Sequence, residues 1–187
     1  MRVFILNGPP GIGKDTLAAN IEKVFGFPVL MFKAALYRET AKYFGIPVVD
    51  MIRIANDRFT KEEPDPGLDG FSPRGALIHV SESIIKPTHG KKFFGLRAVA
   101  ELTELDGRTS SAVFSDGGFV EETECLVEHG FDVHIIHLHH PDFNFDRDSR
   151  NYVYGVPGAK PWRLNVTMGE PMTDLHNFMK ILENIDR

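Results

Sequence analysis

Short apolar runs alternate with amphipathic segments along most of the chain, and this alternation predicts the secondary structure. β-rich runs predict five strands, at 3–6, 28–32, 112–115, 133–139 and 163–166. Helical periodicity, together with start and stop signals, predicts helices over 14–25, 33–44, 73–85, 94–105, 119–129 and 172–185. Because strands that alternate with helices are typical of α/β proteins, we expect a mostly parallel sheet covered by helices on both faces.

Local chemistry marks several boundaries between these elements. Gly26 follows the first predicted helix, where glycine readily adopts the left-handed conformation that ends a helix. Ser72–Pro73 is a typical helix start, with serine as the N-cap and proline in the first turn. The stretch 58–71 is rich in proline, glycine and acidic residues and predicts a loop, as does the polar stretch 140–160.

Composition and charge indicate an ordinary globular protein. With 187 residues, of which 42% are hydrophobic and 25% charged, we expect a single domain over 1–187. The net charge of -5 disfavours electrostatically driven nucleic-acid binding. A local basic segment is nevertheless formed by Lys86, His89, Lys91, Lys92 and Arg97. The single cysteine, Cys125, and the lack of a membrane-length apolar run predict a cytoplasmic protein without a membrane partner.

The stretch Asn7–Thr16, NGPPGIGKDT, carries the strongest chemical signal in the sequence. Gly8, Gly13 and Lys14 satisfy the pattern G-x-x-x-x-G-K, between a predicted strand and a predicted helix. Glycines, Gly11 included, let backbone N–H groups wrap around phosphates, and the helix N-terminus favours their negative charge. We therefore expect this loop to bind ATP, with the lysine reaching the β- and γ-phosphates.

The residue after the lysine departs from the usual loop. Asp15 stands where a serine or threonine hydroxyl normally binds Mg²⁺. A carboxylate is also a good magnesium ligand, directly or through water, so we expect the metal function to survive. Thr16 is placed to hydrogen-bond a phosphate, and Asp116, at the end of a predicted strand, is a second candidate magnesium ligand.

The loop GPPGIGKDT resembles that of tailed-phage deoxynucleoside monophosphate kinases, which also ends in Gly-Lys-Asp-Thr. Four further segments resemble that family: FKAALYRETAKYFG, SPRGALIHVSESI, AVFSDGGFVEE and RLNVTMGEPMTDLHNFMKIL. The resemblance implies a phosphotransferase that uses ATP and Mg²⁺, with the three-layer α/β/α P-loop NTPase fold of nucleoside monophosphate kinases. It also implies a helical acceptor-side insertion over 33–105 and a short lid-like loop over 140–160.

The identity of the acceptor depends on the residues around Asp116, which we interpret as a candidate general base. Free-nucleotide kinases of the resembled family read Asp-x-Arg here, and that arginine can hold a phosphate; this chain reads Asp116-Gly117-Gly118. Related phage kinases phosphorylate the 5-hydroxymethyl group of hydroxymethyldeoxyuridine within DNA. A hydroxyl acceptor needs a base and little extra positive charge, so the departure favours this DNA-modifying reaction. The alternative is a kinase that makes dNDP from free dNMP.

Other side chains are candidates for substrate contacts. Arg147 and Arg150, in the lid-like loop, are candidates to stabilise charge on the transferred phosphoryl group, although a surface salt-bridge cluster explains them equally well. The acceptor-side candidates are Arg38 and Arg74 for binding and Phe32 and Phe71 for base stacking. Outside the kinases, a regulatory NTPase is the alternative; the Asn-Lys-x-Asp motif of guanine-specific switches is absent from the sequence.

Overall fold

The computed structural model describes residues 1–57, 59–146 and 150–187, and in these residues five parallel strands form the centre of the fold. The strands are β1 Arg2–Asn7, β2 Val29–Leu30, β3 Ser111–Phe114, β4 Asp132–His139 and β5 Lys160–Asn165. Their order across the sheet is β2-β3-β1-β4-β5. The central strand β1 thus has β3 and β4 as its parallel neighbours.

Helices connect the strands and cover both faces of the sheet. They are α1 Lys14–Phe25, α2 Lys33–Phe44, α3 Val48–Asn56, α4 Pro73–His79, α5 Lys86–His89, α6 Phe93–Leu105, α7 Val120–Glu128 and α8 Pro171–Ile185. A 3-10 turn at Pro66–Leu68 precedes α4, and a π-helical turn at Val80–Ile85 joins α4 to α5. The predicted bounds of α1 and α2 coincide with the observed ones, and Gly26 ends α1 with a φ of 69°.

Alternating residues of the strands build one apolar layer on each face of the sheet. One layer joins Phe4 and Leu6 of β1 to α1 and α8, where Phe178 is fully buried. The other layer joins Val3 and Ile5 of β1 to helices α6 and α7. Because successive strand residues point to opposite faces, a central strand of this kind must be apolar at nearly every position.

The predicted fold class is confirmed by this arrangement. The glycine-rich loop follows the central strand β1 and leads into α1, as in P-loop NTPase folds. The carboxyl ends of β1, β3 and β4 lie side by side, so the residues that follow these strands meet at one edge of the sheet. No helix in the described ranges is long and apolar enough to cross a membrane.

Helices α2 to α6 and their connections lie between β2 and β3 in the chain and form a small apolar core of their own. This core includes Tyr37, Ala41, Met51, Leu68 and Ala76. Helix α3 was not predicted, because its β-branched start has little intrinsic helix preference. Its conformation is instead stabilised by packing, since Met51 is fully buried against α2 and α4.

Three predicted elements differ by more than one residue from the observed ones. The fifth strand, predicted over 163–166, spans Lys160–Asn165, because its exposed first residues are not part of the apolar run. The second strand is shorter than the predicted run 28–32, because Phe32 has helical dihedral angles and caps α2. The helix predicted over 73–85 starts as expected, with Ser72 Oγ accepting from the Gly75 N–H group at 3.1 Å. It changes from α- to π-helical geometry after His79. Such π-helical turns inside helices are frequent at functional sites.

Candidate active site

The loop between β1 and α1 has the backbone geometry of a phosphate-binding site. Gly11 and Gly13 have φ angles of 79° and 100°, which residues other than glycine rarely adopt. Lys14 Nζ donates hydrogen bonds to the carbonyl oxygens of Gly8 at 2.7 Å and of Pro9 at 2.8 Å, so the side chain spans the loop. Among the described residues no side chain caps α1 at Gly13, and the N-terminus of a helix favours an anion.

The first turn of α1 also presents hard oxygen ligands. Asp15 and Thr16 are both exposed there, directly after Lys14. Within the described residues no cluster of three or more histidine, cysteine or acidic side chains could hold a metal ion. This donor set does not suit a closed protein cage, but it fits Mg²⁺, which is held by one or two protein oxygens together with substrate phosphates.

Asp116 lies at the carboxyl end of β3 and ties this strand to the start of α2. It is 7% exposed, and its Oδ1 and Oδ2 atoms accept from the backbone N–H groups of Phe32 at 2.8 Å and Lys33 at 2.9 Å. Burial raises the pKa of Asp116 to about 6, while the two N–H groups and the charges of Lys33 and Arg150 oppose that rise. The carboxylate is therefore ionised at neutral pH yet basic enough to accept a proton.

Gly117 brings Asp116 close to the phosphate loop. Its N–H group donates to the Leu6 carbonyl at 2.7 Å. A Cβ atom at position 117 would lie 2.4 Å from the Cα atom of Asn7, the residue just before the loop. Only glycine allows the two strand ends to approach this closely.

Gly118 leaves space that is occupied by Glu122 of α7. A Cβ atom at position 118 would lie 2.0 Å from Glu122 Oε2 and 3.1 Å from Phe32 Cδ2. Glu122 Oε2 accepts from the Phe119 N–H group at 2.8 Å, and the side chain is 8% exposed. An arginine at 118 would need the space that this carboxyl group now fills.

A cavity of about 590 Å³ opens beside Asp116, between the end of β3 and the helices α2 to α6. This volume is in the usual range for small-molecule sites. Among the described residues, its cationic lining consists of Lys33, Lys61, Arg74, Lys86, Lys91 and Arg150. The acidic lining consists of Glu82, Asp116, Glu121 and Glu122. Cations and acids thus both line the cavity, and Asp116 is joined to the phosphate-loop side through Gly117.

The aromatic and arginine candidates on the acceptor side occupy different places. Phe32 lines the cavity but is 3% exposed and stacks on Phe114, with ring centroids 4.2 Å apart, so it forms a wall. Arg74 lines the cavity, with Nη1 3.5 Å from Glu62. Arg38 and Phe71 are not among the described lining residues. Arg38 is ion-paired with Glu101, and Phe71 stacks on His79 with centroids 4.8 Å apart.

The segment after the lid-like loop is fastened to β1 by a buried asparagine. Asn7 is 1% exposed; its Nδ2 atom donates to the Asn151 carbonyl at 3.2 Å, and its Oδ1 atom accepts from the Val153 N–H group at 2.9 Å. These bonds hold the chain next to Arg150, which lines the cavity. The other arginine candidate, Arg147, lies outside the described residues.

Several residues of this site were not predicted from the sequence, among them Asn7, Phe119 and Glu122. Asn7 is the only polar residue after Arg2 in β1. A polar residue at the end of an otherwise apolar strand could have indicated that its side chain has a specific partner. Phe119 lines the cavity, is 38% exposed, and has Lys86 Nζ 5.3 Å from its ring centroid. It is therefore a better candidate for stacking on a base than Phe32.

Comparison with solved structures finds a gluconokinase from Sinorhizobium meliloti 1021. The two share 15% sequence identity over 98% of this chain and 95% of that chain, with a TM-score of 0.43. No family model and no curated protein matches the chain. The geometry of the site itself therefore carries the functional inference.

Proposed function

We propose that the protein is an ATP-dependent kinase that transfers the γ-phosphoryl group to an acceptor bound in the cavity beside Asp116. The phosphate loop supports this proposal, since its glycine conformations, its lysine and the N-terminus of α1 all suit the phosphates of ATP. Asp15 and Thr16 would hold Mg²⁺ together with these phosphates. Bound there, the metal would neutralise the charge that develops on the transferred group.

The acceptor we propose is a hydroxyl group, with the 5-hydroxymethyl group of hydroxymethyldeoxyuridine in phage DNA as the leading candidate. The observation that carries this choice is the absence of a cation at position 118, where Glu122 fills the space instead. The buried carboxylate of Asp116, with no cation at position 118 beside it, would repel an acceptor phosphate. A neutral hydroxyl group suffers no such repulsion and needs only a proton acceptor.

The proposed reaction assigns one step to each of these groups. The acceptor hydroxyl oxygen forms a bond to the γ-phosphorus, the bond from that phosphorus to the bridging oxygen of ADP breaks, and the hydroxyl proton passes to Asp116. Both Asp116 oxygens already accept a backbone N–H group, which favours this base role over a role as magnesium ligand. Arg150, which lines the cavity and whose segment is fastened by Asn7, would stabilise negative charge on the transferred group.

A target base within DNA must leave the helical stack to reach such a cavity. Phe119 offers an exposed ring at the cavity wall on which an extruded base can stack. The lysines and arginines around the rim would then contact backbone phosphates next to the target.

The same cations favour the second candidate, phosphorylation of a free deoxynucleoside monophosphate. Lys61, Arg74, Lys86 and Lys91 all line the cavity, and a cluster of this kind can hold an acceptor phosphate. In that reaction the phosphate would have to bind away from Asp116, against the cationic wall.

The two candidates are separated by offering the protein γ-labelled ATP with either hydroxymethyluracil-containing DNA or a panel of free deoxynucleoside monophosphates. Label that enters only the DNA supports our choice, and label that enters only free monophosphates establishes the second candidate. Slow hydrolysis without transfer to any acceptor would indicate a regulatory NTPase instead.

The base role is tested with Asp116→Asn, which should lower kcat by about 10²- to 10⁴-fold. A matched control is Asp65→Asn, because Asp65 also accepts a backbone N–H group, from Gly67 at 2.8 Å, and is not among the described residues that line the cavity. Near-normal kcat in Asp116→Asn would exclude the base role.

A further inference from the structure

Glu122 is a buried acid, and only one of its two carboxyl oxygens accepts a hydrogen bond from the described residues. Its Oε2 atom accepts the Phe119 N–H group at 2.8 Å. Its Oε1 atom takes part in no hydrogen bond to the residues that the structure describes, and the side chain lines the cavity. Oε1 is not among the described polar atoms that are fully buried without a partner, so solvent in the cavity reaches it, and a water molecule or a ligand can hydrogen-bond to it.

The placement of Glu122 depends on Gly118. A side chain at 118 and the present position of Glu122 exclude each other, because a Cβ atom there would lie 2.0 Å from Oε2. Phe32 closes the opposite side, 3.1 Å from the same point. Gly118 and Glu122 thus form a matched pair that puts a carboxyl group, rather than a cation, beside Asp116.

The charges that face Glu122 come from several elements. Asp116 at the end of β3 and Glu121 of α7 disfavour its ionised form, and Lys86 of α5 favours it. Lys86 is also engaged by Glu82 of the π-helical turn, at 2.6 Å. The charged lining of the cavity also includes Lys33 of α2, Lys91 before α6 and Arg150.

Burial is the largest influence and raises the pKa of Glu122 to about 8. At neutral pH the two acids therefore carry one negative charge, and the hydrogen bonds indicate where it lies. Asp116 accepts two backbone N–H groups and stays ionised, whereas Glu122 accepts one and keeps its proton. A neutral carboxylic acid can donate a hydrogen bond as well as accept one.

We infer that Glu122 is a specificity-determining residue of the acceptor site, where its carboxyl group hydrogen-bonds a neutral polar group of the acceptor and occupies the place in which a cation would hold an acceptor phosphate. This inference rests on the proposed kinase reaction. The group that it binds is an uncharged oxygen or nitrogen of the acceptor base or of its hydroxymethyl substituent. Above pH 8 the side chain ionises, and the same site becomes doubly negative.

The test uses Glu122→Gln, Glu122→Ala and the control Glu124→Gln, which removes an acid from the same helix outside the described cavity lining. Glutamine keeps the acceptor for the Phe119 N–H group and a donor, but it cannot ionise. We measure kcat and KM on hydroxymethyluracil-containing DNA and on free monophosphates from pH 6 to 9.5, with melting temperatures as a check of folding.

Wild-type activity should fall as pH rises past about 8, and Glu124→Gln should show the same decline, whereas in Glu122→Gln the ratio of the activity at pH 9 to that at pH 7 should no longer show it. Glu122→Ala should raise KM for the DNA acceptor by about fivefold or more, as expected for one lost hydrogen bond. An active wild-type enzyme whose alkaline decline persists in Glu122→Gln, or an unchanged KM in Glu122→Ala, would overturn this inference alone. Wild-type protein that transfers phosphate to no acceptor would overturn the proposed function and the inference with it.

Discussion

The substitution Glu122→Gln should change how the free energy of unfolding depends on pH, whatever the acceptor is. In the unfolded chain a glutamate has an ordinary pKa of 4.5, and in the folded protein burial raises the pKa of Glu122 to about 8. Between these values the folded state binds one proton more than the unfolded state. The stability that Glu122 contributes is therefore fully present below pH 4.5 and is lost as pH rises through 8.

The size of this loss follows from the two pKa values. Each pKa unit corresponds to about 1.4 kcal/mol, so the full separation amounts to about 5 kcal/mol. Asp116, with a pKa of about 6, also loses its proton in the lower part of this pH range. From pH 6.5 to pH 8, where Asp116 is already ionised, Glu122 alone should remove about 1.5–2 kcal/mol. Glutamine has no proton to lose and should not show this decline.

The assay is urea denaturation at constant ionic strength, followed by the fluorescence of Trp162, the single tryptophan. The difference in unfolding free energy between Glu122→Gln and wild type should grow by about 1.5–2 kcal/mol from pH 6.5 to pH 8. Glu124→Gln, on the same helix, should run parallel to wild type. Parallel curves for wild type and Glu122→Gln over this range would refute a proton held on Glu122.

Three other substitutions test the rest of the site. Lys14→Ala should abolish phosphoryl transfer, and it should also abolish the rise in melting temperature that ATP and Mg²⁺ produce in wild type. Transfer at the wild-type rate would exclude the hypothesis that Lys14 binds the phosphates of ATP. Gly117→Ala should lower the free energy of unfolding by about 3 kcal/mol, because its Cβ atom would lie 2.4 Å from backbone. Gly75→Ala, a control inside α4, should change the free energy of unfolding little in the same denaturation experiment. Equal losses of unfolding free energy in Gly75→Ala and Gly117→Ala would count against a close approach at 117. Asn7→Ala leaves the Val153 N–H group without its partner, so we expect a loss of about 1–3 kcal/mol and faster proteolysis between 140 and 160. Unchanged proteolysis would show that Asn7 does not fasten that segment.

Local signals were enough to predict the sheet and the glycine-rich loop between β1 and α1. The bounds of α1 and α2 were predicted correctly because Gly26 and Gly45 stop these helices through their own backbone preference. The loop was predicted because its chemistry requires glycines and a lysine at fixed spacing. Both kinds of information lie within a few residues of the chain.

The acceptor side could not be predicted in the same way, because its residues meet only after packing. Asp116 contacts Phe32 and Lys33, which are more than eighty positions away in the chain, and Glu122 faces them from a third element. Helical periodicity does not say which face of α2 borders the cavity. Arg38 was therefore named as a candidate, although it is paired with Glu101 instead.

The choice between the two acceptors comes down to the charge beside Asp116. At 4 Å and an effective dielectric constant of 20, two like unit charges repel by about 4 kcal/mol, or roughly a thousandfold in binding. An arginine at 118 would cancel that penalty for an acceptor phosphate, but Gly118 and Glu122 leave the penalty in place. Lys33 and Arg150 already act on Asp116 itself. An acceptor phosphate must therefore bind toward Lys61, Arg74 and Lys91, whereas a neutral hydroxyl group can approach Asp116 directly, and this difference favours the hydroxyl acceptor.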